Sequence, residues 1–364
     1  MRKLRIEPIE NSEESRELQY QEYINNKRKM KSYEEFKAKV YANLVSYKEQ
    51  NITKECGSYK GNKSKEFLPE SYWERELPAM LYPGIHTSVS DIQKSIYKYK
   101  PHIFANKHVS SSQTACVNLF VPIMESPHVD QILMSLESCP KDFKHVAKDI
   151  LYHGYRFEFW DSVDEKSKGL LGDHSKQAGT DSDVAIAYYN TKDELCLWLI
   201  EHKLTEQEFT TCGAYRSKGN NDEGKDHCQK CSMGEILDNP NLCYYHRVNK
   251  YNYWNIMRDG AANFFSGTFD GKGCPFRGGM NQLWRNQLLA IALEKSGAYK
   301  SVSFSVVHHP DNHFLDSSIK EFSILTDHSP KFNSFTSNQL IYAAAIDTDL
   351  KEWIQWYCKV YYGE

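Results

Sequence analysis

Asp183, Glu201 and Lys203 are the residues of this chain best suited by type and spacing to do chemistry. Two carboxylates offer hard oxygen ligands, which Mg²⁺ or Mn²⁺ accepts alongside water and the oxygens of a substrate phosphate. A lysine beside them can orient or help deprotonate a metal-bound water, or neutralise charge that grows on a phosphorane-like transition state. Together they would hydrolyse a phosphodiester. An acid-x-lysine triplet is common by chance, so the weight falls on the elements that would bring the three side chains to one place.

Those elements are legible. Val184–Tyr189 reads Val-Ala-Ile-Ala-Tyr-Tyr, β-branched and aromatic without glycine or proline, which predicts a strand. Asn190-Thr191-Lys192-Asp193-Glu194 supplies turn chemistry, and Leu195–Ile200 follows as an unbroken apolar run, the mark of a strand covered on both faces. Glu201 and Lys203 then share one face of that strand's end while His202 points to the other. A simple closure of Asn190 on Leu195 would set Asp183 opposite His202, so the site needs a one-residue shift, a bulge or a bend at Asp183. Asp181 has the same parity as Asp183, which is preferred because it abuts the apolar run. A plain salt bridge between Glu201 and Lys203 on a solvated strand end would fit the same residues.

An aspartate before one strand and Glu-x-Lys at the end of the next resembles the PD-(D/E)XK nuclease superfamily. The wider wording Ile200-Glu201-His202-Lys203-Leu204-Thr205-Glu206, with Cys274-Pro275-Phe276-Arg277-Gly278-Gly279 and Asn281-Gln282-Leu283-Trp284-Arg285-Asn286, is similar to a bacterial family of restriction-type endonucleases, over residues 105–345 by motif order. The resemblance implies a restriction-endonuclease-like core of α/β (α+β) class, a central mixed β-sheet flanked by helices. It also implies DNA as partner, Mg²⁺ or Mn²⁺ at Asp183 and Glu201, and a restriction or phage-defence endonuclease. Two other readings stay open: a repair or processing nuclease acting on DNA ends or RNA, and a non-catalytic metal-stapled protein that binds nucleic acid.

Ten cysteines are many for a chain expected to be cytoplasmic, where stable disulfides are rare. Cys56, Cys116, Cys139, Cys196 and Cys358 are scattered and read as ordinary thiols. Cys212, Cys228, Cys231, Cys243 and Cys274 cluster after the catalytic strand, and Cys228-x-x-Cys231 has a chelating spacing. Ser217–Asp226 between them is too polar to build a core, so a metal staple would order this insertion. Zn²⁺ and a [4Fe–4S] cluster both suit four thiolates. Cys274-Pro275 offers a ligand in place of Cys228 or Cys231, and His227 and His246 are spare zinc ligands. RecB-like members of the superfamily carry an iron–sulfur staple but place one cysteine before the catalytic motifs, and this chain departs from that.

The remainder is arranged around these motifs. Residues 1–104 are expected to form an N-terminal helical extension, with helical spacing across Tyr33–Leu44 and a loop over Gly57–Lys65. Residues 105–364 are expected to form the nuclease core, with the cysteine-rich insertion at about 205–275. Within it Ser110-Ser111-Ser112 reads as a helix start, Asp142–Tyr152 as helical, Tyr155–Trp160 and Ser301–Val307 as strands, and Asn281–Lys295 as a helix. On that helix Gln282, Arg285 and Asn286 share a polar face that would be solvated or meet the site or phosphate. His308, His309 and His313 read as structural or substrate-adjacent, and Glu158 as a candidate further acid. The net charge of −3 carries no global basic field. Phosphate contacts would come from local patches, Arg2–Arg5, Asn26–Lys31 and Tyr97–Lys100. No run is long and apolar enough to span a membrane, which gives the expectation of a cytoplasmic protein, and a homodimer stays open.

Overall fold

The structure, a computed structural model, describes residues 32–73, 75–96, 107–162, 167–175, 179–260, 264–269 and 271–364. The three basic patches lie outside them. The chain divides into two units, one of Met1–His128, His309–Asn312 and Ser337–Glu364, the other of Val129–His308 and His313–Thr336.

In the first unit α1 (Tyr33–Asn51) begins at a capping box, Ser32 Oγ accepting from the Glu35 N–H and Glu35 accepting from the Ser32 N–H. The expected helical spacing buries Phe36, Val40 and Leu44 on one face. Gly57–Lys65 is not a plain loop. It forms a hairpin, β1 (Gly57–Tyr59) and β2 (Asn62–Ser64), whose two turn residues Lys60 (φ 50°) and Gly61 (φ 81°) both take the left-handed backbone that matches strand twist. Helices α2 (His86–Ile96) and α3 (Ser112–Glu125) follow, the latter capped by Ser111 Oγ on the Thr114 N–H at 3.2 Å, which agrees with the helix start read at Ser110–Ser112. Two C-terminal helices, Ser337–Ala344 and Lys351–Tyr357, complete this unit.

The second unit opens with α4 (Val129–Met134) and is built on a six-stranded mixed sheet: β3 (Phe143–Val146), β4 (Tyr155–Phe159), β5 (Ser182–Asn190), β6 (Leu195–Lys203), β7 (Val302–His308) and β8 (Phe332–Thr336). β3 and β4 both lie antiparallel along β5, β5 is antiparallel to β6, and β6, β7 and β8 are parallel. β6 is central and buried along nearly its whole length, as its unbroken apolar run requires. Between β6 and β7 run α5 (Gly213–Arg216), α6 (Asp222–Lys230), α7 (Met233–Asp238), α8 (Tyr244–Arg247), α9 (Tyr253–Gly260) and α10 (Met280–Lys295); α11 (Asp316–Leu325) joins β7 to β8. This is the central mixed sheet flanked by helices that the motifs implied.

Two expectations change. Asp142–Tyr152 is a strand and turns instead of a helix, because its backbone is claimed by β5: the Ala147 N–H donates to Ala187 O (2.9 Å) and the Thr191 N–H to Asp142 O (2.9 Å). The cysteine-bearing segment, too polar over 217–226 to build a core of its own, also sends apolar side chains inward. Ile236, Tyr253, Trp254 and Met257 enter the sheet's own core, where Phe276 stacks on Trp284 with 4.2 Å between ring centroids. Among the described residues no helix is long and apolar enough to cross a membrane.

Candidate active site

The β5–β6 hairpin sets the register on which the site depends. Val184 pairs with Ile200 and Tyr189 with Leu195, one residue off the simple closure. The turn explains the shift. The Asn190 N–H donates to Glu194 O, its Oδ1 accepts from the N–H groups of Lys192 and Glu194 at 2.9 Å each, and Asp193 takes a φ of 60°. A three-residue loop ending in a left-handed residue replaces the simple turn. One more step of this ladder sets Asp183 level with Glu201, and Asp183 Oδ2 accepts the backbone N–H of His202 at 2.7 Å.

Glu201 is 2% exposed, and three side chains hold its carboxylate. Oε1 accepts from Lys203 Nζ and from Gln282 Nε2, each at 2.7 Å, while Oε2 accepts from Asn286 Nδ2 at 2.7 Å. The Thr210 N–H donates to Gln282 Oε1 at 3.1 Å, which leaves the amide's nitrogen to face Glu201. The face of α10 that spacing defined is therefore docked on the acid and is not solvated. Arg285, on the same face, donates to Thr180 Oγ1 at 3.1 Å and steadies the approach to β5. Thr180 in turn donates to Asp173, which also accepts from Tyr253 Oη at 2.7 Å.

The electrostatics follow from this crowding. Burial, and next the Glu201 carboxylate, push Asp183 well above the usual carboxylate range; Glu158 adds to the push, while Lys203 and the His202 N–H oppose it. Burial works against the Lys203 ammonium, but Glu201, Glu206 and Asp183 outweigh it and hold its pKa above the ordinary lysine value. Lys203 is thus a cation at neutral pH.

Other residues sort themselves around this centre. Glu158 lies on β4, which pairs Phe157 with Val184 and Phe159 with Ser182, so it falls level with Asp183. Its φ of 46° is strained for a non-glycine residue within a strand, and such strain gathers at functional sites. Asp181 lies outside β5 and pairs with His174 Nε2 at 2.8 Å, a ring stacked on Trp160. The His202 side chain is buried. The three downstream histidines do not gather: His309 bonds Tyr361 O, His313 pairs with Asp316, and His308 ends β7 level with Lys203. Sequence reading missed His308's place, because a parallel register between distant strands has no local signal.

Among the described residues no group of three or more His, Cys, Asp or Glu side chains is arranged to hold a metal ion. At the cysteines it leaves the expected staple, zinc or iron–sulfur, without support. All ten cysteines are free, and Cys231, half of the chelating pair read from the sequence, is only partly buried.

No curated protein and no solved structure matches the chain. A family model described as restriction endonuclease associating with ARP matches residues 18–362, nearly the whole length and all of the site just described. The chain belongs to this restriction endonuclease family.

Proposed function

We propose that the protein is a divalent-metal-dependent endonuclease that hydrolyses DNA phosphodiester bonds at the Asp183–Glu201–Lys203 edge, in the manner of the PD-(D/E)XK enzymes, and serves in restriction of phage DNA. One observation carries the reading: a buried carboxylate, Glu201, is oriented by Lys203, Gln282 and Asn286 beside a second acid, Asp183, whose charge the surroundings disfavour. Carboxylates held so close together call for a cation.

Mg²⁺ or Mn²⁺, held by Asp183 and Glu201 with Glu158 near, would supply charge for a phosphate oxygen and a more acidic water. The protein's part is separate from that. Gln282 and Asn286 fix both oxygens of Glu201, so its orientation does not have to be found anew with each substrate. Lys203, held as an ammonium, is suited to neutralise charge growing on the phosphoryl oxygens and unsuited to accept a proton at neutral pH. The family description adds an association with ARP, which we carry over as an expected partner.

Cleavage of supercoiled plasmid with Mg²⁺ tests the reading. Wild-type protein should nick or linearise closed circles, which excludes a strict end-processing enzyme. Binding without cleavage under these conditions would favour the non-catalytic alternative.

A further inference from the structure

Aromatic rings of the first unit form a continuous row, and the backbone explains why they meet. The hairpin of β1 and β2 is fixed to α1 by Lys48, whose buried ammonium donates to the carbonyls of Glu55 (2.7 Å), Lys65 (2.7 Å) and Phe67 (3.4 Å). Just past the hairpin the chain takes on a distant segment. Phe67 bridges His108, the Leu68 N–H donates to Lys107 O and the Val109 N–H to Glu66 O, each of these two bonds at 2.9 Å. Trp73, which ends a helical turn over Glu70–Tyr72, is pinned by its ring N–H on Leu68 O at 2.8 Å.

From these anchors the rings follow one another. Tyr41 meets His108 at 5.3 Å between centroids, His108 meets Phe67 at 5.1 Å, Phe67 meets Tyr59 at 5.9 Å and Tyr59 meets Trp73 at 6.1 Å. Lys37 extends the row to Tyr33 in the first turn of α1, its ammonium 5.5 Å from the Tyr41 ring and 5.7 Å from the Tyr33 ring. Lys107 stands over Trp73 (5.0 Å) and Tyr59 (5.3 Å), and Lys60, in the hairpin turn, over Tyr59 (5.4 Å). Each of these rings is half-buried, none fully, and Lys60 and Lys107 are exposed. The ion pairs of this unit use Lys39 and Lys65, and among the described residues Lys37, Lys60 and Lys107 form none.

Partly open rings with cations on their faces suit a ligand that has both bases and phosphates. An ammonium over an exposed ring is weakly held, so it can exchange that ring for a phosphate oxygen. The face it leaves is then open to a nucleobase, and bases stacked on such rings with lysines along the backbone hold single strands without regard to sequence. A duplex fits poorly, because its bases already stack on one another. In sequence more lysine flanks the row: Asn26–Lys31 ends just before Ser32 and Tyr97–Lys100 precedes Lys107, both outside the described residues.

We propose that this row, Tyr33, Tyr41, His108, Phe67, Tyr59 and Trp73 with Lys37, Lys60 and Lys107, is a platform for single-stranded DNA. The inference takes from the proposed function only the choice of DNA as ligand. Binding of a labelled single-stranded oligonucleotide of mixed sequence to full-length protein, with divalent metal chelated, tests it apart from cleavage. Wild-type protein should bind this strand more tightly than the duplex of the same sequence and at least as tightly as the RNA. Tyr59→Ala should weaken binding about tenfold while Tyr59→Phe keeps it. Lys60→Gln and Lys107→Gln should each reduce the slope of log affinity against log salt by about 0.7. Should Tyr59→Ala not fold, the two exposed lysine variants decide. Wild-type affinity and salt slope in the lysine variants overturn the platform, as does tighter binding of duplex or RNA. Plasmid cleavage by a protein whose binding these variants do not change would sink the platform and leave the nuclease reading standing. Binding lost in the variants of a protein that never cuts would do the reverse.

Discussion

The carboxylate site and the cysteine-bearing segment are held in place by different means. At the edge, one hairpin register and one helix face do the work: β5 and β6 bring Asp183 level with Glu201, and α10 applies Gln282 and Asn286 to the buried acid. In the segment no long element acts. Short turns and the close approach of Gly273 to Gln229 join stretches that run from Cys212 to Cys274, and among the described residues no three ligating side chains are gathered there. The edge also carries its own counter-charge in Lys203, so most of it stands ready without a metal.

The largest effects should fall on the edge. Asp183→Ala and Glu201→Ala should reduce plasmid cleavage to background with the far-ultraviolet spectrum unchanged, because the apolar cluster that builds the sheet core does not include these side chains. Lys203→Ala removes transition-state charge stabilisation and should cost about 10²–10³-fold in rate at saturating DNA. Cleavage at wild-type rate by all three would show that the site lies elsewhere.

Next come the residues that orient Glu201. Gln282→Ala and Asn286→Ala should each lower activity about 10- to 100-fold and raise the Mg²⁺ concentration needed for half-maximal rate. Glu158→Ala should fall in the same range if the strained residue faces the metal. A change in rate with no change in metal dependence would assign the amides to substrate instead.

Smaller still is a stability effect with a definite sign. The folded pKa of Asp183 lies above its usual value of 3.8, so its neutral form stabilises the fold. That contribution is full below the unfolded pKa and is lost as pH rises through the folded one. In metal-free protein at pH near 7, Asp183→Asn should therefore raise Tm while abolishing cleavage, and the gain should shrink as pH falls toward 4. Melting curves across that window check it. By the same reasoning wild-type activity should fail on the acid side as protons compete with metal for Asp183. The smallest effect on chemistry should come from His202→Ala: its backbone N–H serves Asp183 whatever the side chain, and its buried ring turns away, so Tm should drop more than rate.

What could be read beforehand follows from the range of the forces involved. β5, β6 and α10 carry their periodicity within a dozen residues, and the side-chain parity of Glu201, His202 and Lys203 needs nothing else. The one-residue shift was visible only as a requirement; the Asn190 side chain that accepts two turn amides is what supplies it. Asp142–Tyr152 has helical spacing, but pairing of Phe143–Val146 with the distant strand residues Tyr188–Asn190 overrides it. Cys228-x-x-Cys231 has a chelating spacing, but spacing counts residues and not direction, and among the described residues no three ligating side chains are gathered around it. That Gln282 and Asn286 would grip Glu201 lay beyond any local pattern, since some 80 residues separate helix and strand.

The account stands or falls on one comparison: supercoiled plasmid incubated with Mg²⁺ and wild-type protein, and in parallel with folded Lys203→Ala protein. Open-circular or linear product is expected from the first, product formed about 10²–10³-fold more slowly from the second, and none from either when the metal is chelated. Equal cleavage by both proteins, or cleavage that survives chelation, would contradict a metal-dependent site at Asp183, Glu201 and Lys203.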